Sequence, residues 1–215
     1  FLMSATGGVV AVVMWIQQMA WGVSATVSGL SSVGFAIFVV AFIRVGERFM
    51  QLKGPRAAVV TASVLVAVAI TLLMVTDVSQ ETYVAISLFG FSLFGIGLGL
   101  FATPITDTAL NTLPDNRAGA GAGMFKMSSS LSAALGIAIS TSVFTAGLDS
   151  TVSADSVTSA GVFALAINLA FTLFALAAAL LLLPGRKTTR PDLEGLPGGA
   201  TASPDAVPTT QGAQV

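Results

Sequence analysis

The run GAGAGMFKMSSS at 119–130 places a lysine, Lys126, behind glycines and ahead of serines. A phosphate-cradling loop has this look, but it needs glycine directly before the lysine and a hydroxyl directly after it. Phe125 and Met127 occupy those two places. GIGLGLFA at 95–102 mimics a dinucleotide fingerprint as superficially, in the middle of an apolar run. The sequence contains no histidine and no cysteine, so the commonest general base, the commonest metal ligand and every thiolate are missing. No metal site, cofactor or enzyme activity is expected, and no basic cluster suggests nucleic acid. What remains is a carboxyl, Asp107, and an ammonium group, Lys126, each inside an otherwise apolar stretch. Two such groups can form an ion pair, or hold and release a proton.

The elements that must position them follow from composition. Of 215 residues, 54% are hydrophobic and 9% charged, against about 25% charged in an ordinary soluble domain. A bilayer is therefore the natural solvent. Six apolar runs reach the roughly 20 residues needed to cross it: about 2–21, 26–45, 57–75, 83–112, 118–146 and 160–183. The second is short by apolar count, and its preceding serines extend it. Backbone amides in lipid must be satisfied within their own segment, so these runs read as helices. The fold class is all-α integral membrane, a six-helix bundle over 1–184. Residues 185–215, rich in Pro, Gly, Ala and Thr, are expected to form a disordered cytoplasmic tail. Phe1 already lies in an apolar run with no basic flank, which reads as a chain cut from something longer.

The charges give an orientation. Arg44, Arg48, Lys53, Arg56, Arg117, Arg186, Lys187 and Arg190 fall in one set of alternate connections, and the other set carries Asp77, Glu81, Asp149 and Asp155 with no Lys or Arg. The positive-inside rule makes the first set cytoplasmic and puts both chain ends on that side.

Lys126 lies nine residues beyond Arg117, or roughly 14 Å along a helix, near the middle of a ~30 Å core. A lysine there costs about 2.5–3.5 kcal/mol on insertion scales unless it faces a cavity or partner; the bland alternative is a side chain that snorkels. Asp107 lies at similar depth on the preceding antiparallel span. Desolvation favours its neutral form and a nearby ammonium its charged form, which suits a switchable proton carrier. A static pair that only fixes packing is the other reading. Thr103 and Asn111 share the face of Asp107 at i−4 and i+4, and Ser129 and Ser130 follow Lys126 by one turn. Gln17 and Gln18, with Trp21 nearby, either line an adaptable cavity or make ordinary interhelical bonds. Pro104 can kink the fourth span beside Asp107. Gly95 with Gly99, and Gly119 with Gly123, have the small-xxx-small spacing of closely packed membrane helices.

The stretch GIGLGLFATPITDTALNTLPDNRAGAGAGMFKMSSSLSAALGIAISTSVF resembles the late spans of fourteen-helix drug:proton antiporters of the major facilitator superfamily. It is most similar to the branch of the staphylococcal fluoroquinolone exporters, with their ATP-x-TD and YKM-x-SSLG runs. Phe125 stands in place of the tyrosine and Ser132 in place of the following glycine. IRVGERFMQLKGPR at 43–56, with Arg44, Glu47, Arg48 and Arg56, resembles that family's basic cytoplasmic loop. The resemblance, over about residues 10–147, implies the C-terminal bundle of a two-bundle exporter in a bacterial plasma membrane. It implies an N-terminal half as partner, protons exchanged for amphiphilic small molecules, and first and fourth helices that line the cavity with the fifth at its border. An exporter of an endogenous metabolite or lipid precursor, and a six-helix packing or regulatory protein, are the alternatives.

Overall fold

The computed structural model describes residues 1–110, 118–148 and 153–182, except for the side chains of 107–110 and 118. The proposed tail, and Asn111 and Arg117, lie outside the described residues. The chain is all-helical as expected. Its helices are α1 (Leu2–Trp15), α2 (Ala25–Lys53), α3 (Pro55–Leu73), α4 (Gln80–Leu110), α5 (Ala118–Ala146) and α6 (Ala154–Leu182), with α1 prolonged by a π-helical segment, Ile16–Ala20. Among the described residues, six helices are long and apolar enough to cross a membrane.

Local chemistry sets where the helices start and stop. Ser24 caps α2, its hydroxyl accepting from the Val27 amide at 3.4 Å. Gly54, at φ +88°, stops α2, and Pro55 starts α3 at once. The basic segment at 43–56 is therefore not a loop. Arg44, Glu47, Arg48 and Lys53 ride on the last turns of α2, and Arg56 sits in the first turn of α3. ERFMQLK contains no helix breaker, and the real turn is the Gly54–Pro55 junction. At α6 a reciprocal capping box, Ser153 N–H to Ser156 Oγ at 3.0 Å and Ser156 N–H to Ser153 Oγ at 3.2 Å, starts the helix at Ala154 rather than near 160.

The packing has an internal repeat. α4 lies between α2 and α3, α1 lies between α5 and α6, and α3 meets α6. Exchanging each helix with the one three later reproduces this pattern. Three crossings per repeat is an odd number, so the two halves are inverted in the membrane. The core is filled chiefly by Val9, Val12, Val13 and Ile16 of the first helix, Val66, Ile70 and Leu73 of α3, Phe91 and Phe94 of α4, and Leu165 of α6.

Two glycine-lined seams join the flanking helices to the inner ones. On α4, a Cβ at Gly99 would come within 2.8 Å of the Val39 carbonyl and 2.9 Å of Phe42 Cβ, and one at Gly95 within 2.5 Å of the Phe35 carbonyl. On α5, Gly136 is filled by the Ser4 backbone of α1. Gly119 and Gly123 differ: nothing lies within 4 Å of a Cβ built on either. Their small-xxx-small face packs on nothing described in this chain, because the α5 residues that reach α1 are a turn or more further on.

Gly99→Val is expected to lower stability by about 1–3 kcal/mol, since backbone rather than a flexible side chain blocks the added atoms. Gly29, inside α2 with open space at its Cβ, is the control: Gly29→Ala is expected to be neutral or to stabilise by up to about 1 kcal/mol. Thermal unfolding in detergent reads both, and equal losses would contradict the seam.

Candidate functional site

Lys126 opens on a cleft of about 310 Å³ between the start of α1, the 101–106 stretch of α4 and the 125–132 stretch of α5. Its walls are apolar at Leu2, Phe101, Ile105 and Phe125 and polar at Thr106, Ser128, Ser129 and Ser132. The α1 and α5 sides are held together one turn deeper. Ser4 Oγ donates to the Ser132 carbonyl at 2.8 Å, and the Ser4 backbone sits on Gly136. On α4 the Thr106 hydroxyl donates to the Ala102 carbonyl at 2.8 Å, so it is already satisfied.

Lys126 is exposed to the cleft and to the open face of α5, and no hydrogen bond or ion pair joins it to a described residue. Among the described residues it is the only charged side chain lining the cleft. It stands eight residues into α5, about 12 Å from the helix start. Asp107 follows Thr106 on α4, and its side chain lies outside the described residues, so the Asp107–Lys126 pair is not among the described contacts.

Of the other residues singled out in the sequence, Ser129 lines this cleft. Ser130 lies in a second groove on the outer face of α5, with Gly123, Met127 and Leu131. Thr103 does not line the cleft; Thr106 does, because Phe101, Ala102, Ile105 and Thr106 are the residues that the helical phase turns inward. Gln17 is fully buried and accepts from Ser31 Oγ at 3.3 Å, with its own Nε2 unpartnered among the described residues. Gln18 is exposed. Both lie on the π-helical segment, where neighbours point about a quarter-turn apart, one into the core and one out. Trp21 packs near Tyr83, ring centroids 6.3 Å apart, and lines a cleft of about 510 Å³ at the opposite end with Asp77 and Asp155. Gln17, Gln18 and Trp21 therefore do not share a cavity with Lys126.

Charged groups segregate by end. Arg56 donates from Nη2 to the Leu180 carbonyl at 2.6 Å, which ties the start of α3 to the last turn of α6 where free carbonyls accumulate. Asp77 and Asp155 line one cleft at the other end. One buried polar group went unnoticed in the sequence. Asn168 of α6 donates to Ser140 Oγ at 2.8 Å and to the Ala164 carbonyl at 2.7 Å, in a space left by Gly8. A lone amide within an apolar span, the same signal that marked Gln17, would have found it.

No protein-family model matches the chain. Curated relatives do. The chain is 30% identical over 190 residues to the quinolone resistance protein NorB of Staphylococcus aureus strain COL, which covers 88% of this chain and 40% of that protein. It is 33% identical over 144 residues to the NorB of strain JH9, 67% of this chain and 31% of that protein. The chain thus spans well under half the length of these relatives. The likeness to staphylococcal-type exporters carried by the ATPITD and FKMSSS motifs extends over most of the chain.

The two buried amides predict different outcomes. Asn168→Leu is expected to destabilise the bundle by about 0.6–1.7 kcal/mol, the range of an interhelical hydrogen bond in a membrane. Each amide keeps one unpartnered atom, but Gln17→Leu removes a single 3.3 Å bond and is expected to fall within about 0.5 kcal/mol of the parent. Thermal unfolding that ranks them in reverse would show that Gln17 has partners beyond Ser31.

Proposed function

We propose, from the premise that this chain belongs with the staphylococcal-type multidrug efflux transporters of the major facilitator superfamily, that it is the C-terminal bundle of a proton-coupled exporter of amphiphilic small molecules. The observation that carries the reading is Lys126. A lysine about 12 Å along an apolar helix, opening on a half-apolar, half-hydroxyl cleft, is what a substrate or ion pathway requires and what passive packing does not. The relatives' name as quinolone resistance proteins fits export of a drug-like compound.

In this reading the protein resides in a bacterial plasma membrane with both ends of this chain cytoplasmic, as the loop charges suggest. Asp107 carries the exchanged proton and Lys126 biases its charge state. Transport proceeds by alternating access, the inverted-repeat bundle rocking against a companion bundle. The companion is the N-terminal half. The open face of α5 supports it: Lys126, Ser128, Ser130, Gly119 and Gly123 are exposed there beside Met124, Met127 and Leu131, a mixed surface whose small residues suit a closely seated helix. The exposed residues of α3 and α6, such as Val64, Val68, Phe163 and Phe174, are by contrast apolar and suited to lipid.

Two outcomes test this. In the full-length protein, Asp107→Asn is expected to abolish gradient-driven dye efflux from proteoliposomes while expression and folding survive. Lost folding with normal coupling in the surviving molecules would favour a purely structural pair. The described chain alone is expected to catalyse no dye efflux, since six helices form one wall of the pathway; robust proton-driven efflux without the companion would refute the two-bundle reading.

A further inference from the structure

We infer that the outer face of α3 and α6 holds a single phospholipid whose head bears an ammonium group, with its chain in the groove between the two helices and its head at the cleft of Asp77 and Asp155. This goes beyond the transport reading and does not depend on it. The groove, of about 600 Å³, is walled by Val64, Val68, Leu72 and Val75 from the α3 side and by Leu169 and Leu173 of α6. Val64, Val68, Val75 and Leu173 are exposed. The one hydroxyl among its described lining, Thr71, already donates to the Ala67 carbonyl at 2.9 Å.

These walls favour a hydrocarbon chain over another helix. Helices seat closely in a bilayer on small residues and interhelical hydrogen bonds, as at Gly95 and Gly99 of α4. No glycine or serine lines this groove among the described residues, and its branched aliphatic side chains suit a flexible chain. The length agrees. From Val64 to Val75 is eleven residues, or roughly 16 Å at the helical rise, about half of a ~30 Å hydrocarbon core. That is the depth of one leaflet.

The head follows from what lies beyond the groove. Val75 at its outer end is succeeded by Thr76 and Asp77, which line the cleft of about 510 Å³ with Asp155 and Trp21. On α6, Val162 of the cleft and Leu169 of the groove are seven residues apart, two turns along one face. Cleft and groove therefore follow one another along the same two helices, and Trp21 is an indole of the kind that settles at headgroup level. Segments 76–82 and 147–159 contain Asp77, Glu81, Asp149 and Asp155 and no Lys or Arg. The sign of this end thus does not depend on Asp149, which lies outside the described residues. A head of net negative charge meets like charge here, and an ammonium meets its complement.

The probes are phosphatidylethanolamine and phosphatidylglycerol with identical chains, each carrying a diazirine at mid-chain. They are photolysed with the full-length protein in dodecyl maltoside micelles, and the labelled residues are found by peptide mass spectrometry. The expected result is saturable labelling of 64–75 and 169–176, with the ethanolamine lipid ahead by about fivefold or more, the size of one charge contact at a membrane surface. Asp77 and Asp155 are both exposed, and replacing both by Asn is expected to bring the two lipids within about twofold. Leu173→Trp, which fills the groove, is expected to remove labelling there by either lipid. Should a variant not fold, the parent's head preference decides. Equal labelling by the two lipids would show chain contact without head selection and overturn the inference, as would a preference for phosphatidylglycerol or one that survives the double replacement. No labelling of the groove would show that another part of the full-length protein covers it, and would overturn the inference as well.

Discussion

Lipid tails solvate a leucine as well as another leucine does, so in a bilayer helices hold together by close backbone approach and a few internal polar bonds. In this chain that approach is concentrated at glycines. The Ser4 backbone occupies the space over Gly136, and Gly7 faces the Ala133 carbonyl, where a Cβ would come within 2.8 Å. The same seam carries Ser4 Oγ to Ser132 O at 2.8 Å. Ser132 is also the last α5 residue of the Lys126 cleft. The contact that fixes α1 against α5 therefore fixes the width of the cleft, one turn away. Displacing Ser4 would move Leu2 and Ser132 together.

The six helices were legible because lipid imposes one rule on every span, enough apolar residues with their backbone satisfied internally. Their ends were less so. The start of α6 depends on two serines bonding to each other's amides, a contact with no hydropathy signature. The segment at 43–56 read as a loop because it is charged, yet charge at a water-facing helix end does not unwind a helix. For the site, Lys126 and Ser129 stood out by type and depth, and the structure places both on one cleft. Thr103 was chosen by its phase relative to Asp107, whereas the phase that matters is relative to α1 and α5, which selects Thr106. Gln17 and Gln18 are adjacent in sequence but about 100° apart around a helix, so one is buried and the other exposed, on a stretch wound as a π-helix. Hydrophobic pattern does not announce a π turn.

The inverted repeat relates the two inner helices and the clefts beside their ends. α1 and α4 are the equivalent inner helices of the two halves, each flanked on both sides. α1 departs from α-helical geometry at Ile16–Ala20, near its end, and α4 holds Pro104 inside, six residues before its own end at Leu110. α4 runs unbroken through Pro104, so of the two inner helices only α1 departs from α-helical geometry, and inversion puts these two helix ends at opposite faces of the membrane. A cleft lies beside each: the one at Trp21 bears carboxylates, and the one at 101–106 bears the lysine. Here the sequence has given the two equivalent places opposite charge, so the repeat is structural while the chemistry is not repeated.

The open side of α5 and the Lys126 cleft are one continuous surface. Lys126 and Ser128 border both the cleft against α1 and α4 and the outer groove with Gly123 and Met127. Under the proposed two-bundle architecture, a helix seated on Gly119 and Gly123 would thus pass beside the lysine. Its approach would thin the water around the ammonium and strengthen whatever anion faces it, since Coulomb attraction grows as the effective dielectric falls. Its withdrawal would rehydrate the same group and weaken that hold. Rocking of one bundle against the other then changes the affinity of the site without any rearrangement inside this chain. The core fits this: α1, α3 and α4 are the most buried helices, and α2, α5 and α6 each keep a face free.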